Sequence, residues 1–86
     1  MSIPKIPKYV EPDWSLVGRR IRELRGFDTN QAELADAIGV TQSHISATER
    51  GRKEMGAIAL FRIAQLYGKT VEWLLTGKDP TLKNEA

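Results

Sequence analysis

A chain of 86 residues makes one domain, near the lower end of what folds alone. With no cysteine it has neither a disulfide framework nor a thiolate metal site. Its net charge of +2, from 13 Lys and Arg against 11 Asp and Glu, is too small to decide a partner by itself. No apolar stretch is long enough to span a membrane, and the first residues lack the apolar run of a signal peptide, so a cytoplasmic protein is expected.

Residues 1–12 hold three of the four prolines (Pro4, Pro7 and Pro12) and read as an extended N-terminal arm carrying Lys5 and Lys8. A folded domain is expected over 13–78. Trp14, Val17, Ile21 and Leu24 step by three, four and three residues, which predicts a first helix over 14–25, capped by Asp13 and stopped by Gly26. It is crowded with arginine. Arg19, Arg20 and Arg22 read as a solvated face. Leu34, Ala35 and Ile38 predict a second helix over 31–38, with Thr29 or Asn30 as its cap and Gly39 as its stop.

Only Gly39 and Val40 separate that helix from the next cap, Thr41. So short a connection forces a sharp turn, and a left-handed residue at Gly39 meets the need. The third helix, over 42–49, is thin in apolar residues: Ile45, Ala47 and the methyl of Thr48 alone could face a core. A helix this polar is expected to be presented to something. Arg50, Arg52 and Lys53 follow it as a second basic cluster. Ala57, Leu60, Phe61, Ala64 and Tyr67, widened by Ile63 and Leu66, form a broad stripe that predicts a fourth helix over 57–67. Thr70 caps a fifth over 71–76. There Val71, Leu74 and Leu75 supply the inward stripe, so Trp73 is expected outward, which suggests an interface. Residues 79–86 read as a tail. No segment sustains a period of two, so the fold class is all-α.

Two short helices joined by a tight glycine turn form a helix-turn-helix, whose second member enters the major groove of duplex DNA with its N-terminal residues on base edges. That accounts for the polarity of the third helix. In order and spacing, the segments GRRIRELR (18–25), NQAELADAIGVTQSHIS (30–46), ERG (49–51), ALFRIAQLYG (59–68) and VEWLLTG (71–77) resemble the phage repressor and Cro-like helix-turn-helix regulators. The resemblance covers about residues 17–78. It implies a compact five-helix, lambda-repressor-like DNA-binding domain, a double-stranded operator as partner, and a homodimer.

By that resemblance, Gln42 reads adenine and Gln31 contacts a phosphate, while Arg25 and Glu49 form an internal salt bridge. Ser43 and Ala47 share the exposed side of the third helix with Gln42, so Ser43 is expected at a base edge or phosphate and Ala47 at a thymine methyl. His44 is a further base-side candidate. Thr41, Arg50, Arg52 and Lys53 are expected along the DNA backbone. Trp73, with Leu74 or Leu75 and the Leu82 tail, is the expected self-contact. Three positions depart from the pattern. The connection GFDTNQ is about one residue shorter than in relatives. Ala47 replaces a long polar residue, and Thr48 replaces a large apolar one, which suggests a looser local core.

No nucleophile, metal set or glycine-rich phosphate loop appears, so neither an enzyme nor a cofactor is expected. With no second domain expected, control would run through concentration, dimerisation or a separate partner. An antitoxin that masks another protein, or a restriction–modification controller, would carry the same motif. A protein partner therefore stays open beside DNA.

Overall fold

The computed structural model describes residues 11–79. Its five helices are α1 (Trp14–Arg25), α2 (Gln31–Ile38), α3 (Gln42–Glu49), α4 (Ala57–Tyr67) and α5 (Val71–Thr76). These bounds match the expected ones, and every helix start but that of α4 carries a side-chain cap. The Asp13 carboxylate accepts from the Ser15 N–H at 3.0 Å, and Thr70 Oγ1 accepts from the Trp73 N–H at 3.0 Å. At α2 the Asn30 side chain accepts from the Glu33 N–H (2.8 Å) while Glu33 accepts from the Asn30 N–H (2.9 Å). This reciprocal box decides for Asn30 over Thr29 as the cap. The expected arm and tail lie outside the described residues apart from Glu11, Pro12 and Asp79, and Lys5, Lys8 and Leu82 lie there too.

Between α2 and α3 the chain reverses at Gly39, which is left-handed at φ 77°, ψ 34°. The N–H groups of Gly39 and Val40 both donate to the Ala35 carbonyl, at 2.9 and 3.0 Å, so the turn is closed by α2's own free carbonyl. α3 then packs against both α1 and α2. Its crossing with α1 depends on Gly18. A Cβ there would stand 2.2 Å from the Thr48 carbonyl oxygen and 2.7 Å from that of Glu49.

One core joins the helices: Val17 and Ile21 of α1, Leu34, Ala35 and Ile38 of α2, Ile45 of α3, Leu60, Ile63 and Ala64 of α4, Leu74 of α5, and Met55 from the α3–α4 loop. Ile45 is the one apolar side chain that α3 buries completely. Burial of a side chain that size contributes about 1.5–3 kcal/mol. Thr48 beside it is equally enclosed, and its hydroxyl has no hydrogen-bond partner.

The packing corrects four expectations. The α4 stripe is narrower than the sequence implies, for Phe61 and Leu66 are more than half exposed, with Ile58 beside them. Leu74 is not available to a partner. α5 packs on α1 and α4, and Leu74 is its one fully buried side chain. Trp73 is half-buried against the core rather than turned outward, with the Lys69 ammonium 4.8 Å from its ring centroid. Arg20 is no mere solvated residue either. It donates to the Leu74 carbonyl at 2.9 Å and so caps the end of α5, while Arg62 does the same for the Ile38 carbonyl at the end of α2 (3.1 Å). Among the described residues no helix is long and apolar enough to cross a membrane.

Candidate nucleic-acid interface

The start of α3 is held by Thr41, whose Oγ1 accepts from the His44 N–H at 3.1 Å. With Ile45 and Thr48 turned inward, Gln42 and Ser43 stand in solvent and Ser46 and Ala47 at half exposure. Gln31, at the start of α2, faces them across an open groove lined by Gln31, Gln42, Ser43, Ser46 and Arg50. A second hollow continues it along α1, adding Arg22, Arg25 and Glu49 to Gln31, Ser46 and Arg50.

The floor of that second hollow is a charged cluster. Arg25 grips Glu49 through two contacts, Nε to Oε2 at 2.7 Å and Nη2 to Oε1 at 2.9 Å, and its Nη1 donates to the Thr29 carbonyl at 2.9 Å. Glu49 Oε1 also accepts from the Gln31 side-chain amide at 3.0 Å. One carboxylate thus ties α1 to α3 and fixes the Gln31 side chain. Both charged groups are largely enclosed, with side chains 14% and 4% exposed, and the paired geometry is what makes such burial tolerable. The hydrogen bond to Glu49 pushes Arg25 further toward its charged form, against the opposing effect of burial. Tyr67 of α4 senses the same cluster. Partial burial raises its hydroxyl pKa above the ordinary 10.0, Arg25 pulls it down, and Glu49 adds to the rise.

Of the expected residues, Gln31, Gln42, Ser43 and Arg50 therefore come together in one groove, and the Arg25–Glu49 bridge forms beneath it. Thr41, Ala47, Arg52 and Lys53 do not line the groove. Arg52 and Lys53 lie exposed in the loop after α3. His44 is turned elsewhere. Its Nε2 lies 3.2 Å from the Glu54 carbonyl oxygen, an acceptor, so that nitrogen carries the proton and holds α3 to the α3–α4 loop. Sequence reasoning missed two groove residues, Ser46 and Arg22. Both had a signal: Ser46 is four residues after Gln42, and Arg22 three before Arg25, spacings that share a helix face.

The helix-turn-helix family profile matches residues 19–74. The chain belongs to the helix-turn-helix family. Its solved relatives include a repressor, a gene regulator and a controller protein. The P22 c2 repressor, solved in complex with synthetic operator 9T, is 31% identical with a TM-score of 0.68, over 73% of this chain and 97% of that one. The clp gene regulator ClgR from Corynebacterium glutamicum is 31% identical with a TM-score of 0.64, over 79% and 90% of the two chains. The restriction–modification controller protein C.AhdI from Aeromonas hydrophila is 27% identical with a TM-score of 0.64, over 72% and 96%. This helix-turn-helix chain is accordingly a transcriptional regulator of the phage repressor and Cro-like type.

Proposed function

We propose that this helix-turn-helix regulator is a sequence-specific repressor that reads a palindromic DNA operator as a homodimer. The observation that carries the reading is the convergence of Gln31, Gln42, Ser43, Ser46 and Arg50 in one open groove. Inserted into the major groove, Gln42 bonds adenine N6 and N7 through both ends of its amide. Ser43 and Ser46 reach neighbouring base or phosphate oxygens, and Ala47 meets a thymine methyl. Gln31 spends one amide N–H on Glu49 and offers the other to a phosphate, beside the backbone N–H groups of the first turn of α2. Arg50 and Arg22, with Arg52 and Lys53 further along, take adjacent phosphates.

One recognition helix spans few base pairs, so operator specificity needs two copies reading half-sites about 34–36 Å apart. The apolar surface open to that self-contact is on α4, at Ile58, Phe61 and Leu66, with Trp73 and Leu75 of α5 at half exposure. A controller of a restriction–modification operon is a narrower version of the same reading, favoured by the likeness to C.AhdI. Selection of bound sequences from a random duplex pool tests the proposal. A palindromic consensus is the expected result, and salt-sensitive binding without any consensus overturns it.

A further inference from the structure

Phe27 sits at the α1–α2 connection with 107% of its reference surface exposed, the largest value among the exposed large apolar side chains described. An aromatic ring wholly in water is unfavourable, and isolated instances carry no argument. This one is not isolated. It borders a surface hollow shared with Arg19, Arg22, Arg25 and Asn30, and that hollow shares Arg22 and Arg25 with the one holding Gln31 and Arg50. The ring thus lies on a continuous surface running from the α3 groove across the start of α2.

We infer that Phe27, Arg19 and Arg22 form an outer clamp on duplex DNA, gripping the backbone beyond each half-site without reading its sequence. The inference rests on the duplex-binding reading above and extends it. Arg19 and Arg22 are three residues apart on α1, both exposed, so their guanidinium groups point from the same face. Arg25 beside them is already neutralised by Glu49, leaving these two to meet phosphates, and Glu23 is the one carboxylate lining the hollow. A phosphate backbone matches this mixture of cations and ring. Between phosphates it exposes deoxyribose C–H edges, which suit an apolar ring, and sugar and phosphate contacts carry no sequence information.

The direction follows from α2. Its C-terminal carbonyl at Ile38 is held by Arg62 of α4, whereas its N-terminus adjoins the Phe27 segment. With the exposed face of α4 toward the two-fold axis, Phe27 is on the far side of α2 and faces the operator's outer flank.

The test uses the full chain and two duplexes carrying one selected operator. One ends at the outermost consensus base pair, and the other extends about six base pairs of unrelated sequence on each side. Wild type should bind the longer duplex about tenfold more tightly whatever the flanking sequence, since each added phosphate contact steepens the salt dependence by roughly one unit. Phe27→Ser and Arg19→Ala should lose that gain, yet match wild type on the short duplex. Both positions are solvent-exposed, and circular dichroism checks that the variants stay folded. Wild type binding both duplexes equally overturns the clamp and leaves the operator reading intact. So does a variant that loses affinity equally on both. Failure to bind any operator duplex overturns clamp and reading together.

Discussion

At the scale of single residues, the Arg25–Glu49–Gln31 cluster and the Thr48 hydroxyl pull stability in opposite directions. Removing Glu49 leaves the Arg25 guanidinium enclosed without its partner. Glu49→Ala should therefore lower unfolding free energy by about 3 kcal/mol, read as a lower urea midpoint. The same change frees Gln31 and should weaken operator binding even under conditions where the variant is fully folded. Thr48→Val replaces an unpaired buried hydroxyl by a methyl of the same shape and should raise stability by about 1 kcal/mol. An unchanged or lowered midpoint would mean that the hydroxyl has a partner. Tyr67 makes a pH-dependent contribution. Its folded pKa is raised, so the folded state holds the proton more tightly than the unfolded chain does. This contribution is fully present below pH 10 and is lost as pH rises past it. Tyr67→Phe should show a shallower alkaline fall in midpoint than wild type, and identical profiles would remove Tyr67 as the cause.

Among the elements, the crossing of α1 and α3 decides how α3 is presented. Gly18 is a poor helix former, and Gly→Ala in an exposed helix interior gains about 1 kcal/mol. Here the gain is outweighed. A methyl 2.2 Å from the Thr48 carbonyl oxygen cannot be accommodated by a side-chain rotation, because the obstacle is backbone. Gly18→Ala should cost about 1–3 kcal/mol or more and shift α3 relative to α2. Chemical denaturation and the amide spectrum of residues 42–49 check it, and a variant as stable as wild type would contradict this crossing geometry. At the front of α3 the surface is chemical rather than structural. Gln42→Ala should leave stability unchanged while costing about 1–3 kcal/mol at the preferred operator and relaxing one base position per half-site. An unaltered binding-site logo would sink that role.

For the molecule as a whole, the distribution of apolar surface matters most. Three of the five exposed large apolar side chains among the described residues, Ile58, Phe61 and Leu66, belong to α4. In the proposed homodimer an isologous contact of this size buries little area, so dimerisation should be weak in solution and assisted by DNA. Phe61→Glu should leave the monomer folded, since the ring is more than half exposed, but abolish cooperative occupation of a two-half-site duplex. Sedimentation with and without that duplex reads the outcome. Wild-type cooperativity in Phe61→Glu would move the interface off α4.

The sequence by itself determined the five helices, the caps Asp13, Thr41 and Thr70 and the tight turn at Gly39, and it narrowed the cap of α2 to Thr29 or Asn30. Each of these rests on interactions within about four residues: Asn30 with Glu33, Thr41 with the His44 N–H, and Gly39 with the Ala35 carbonyl. It also marked α3 as a presented helix, because so polar a helix needs a partner outside the core. Only the tertiary structure decided which apolar residues are spare. Leu74 and Phe61 are both apolar positions at helical spacing, yet one is enclosed where α5 packs on α1 and α4 while the other faces solvent. That difference depends on which neighbouring helix covers each face, and periodicity along one helix holds no record of its neighbours. The same holds for Arg20, which read as part of a solvated face, and for Arg62. Each closes the end of a distant helix, 54 and 24 residues away in the chain, because folding brings a free carbonyl within its reach.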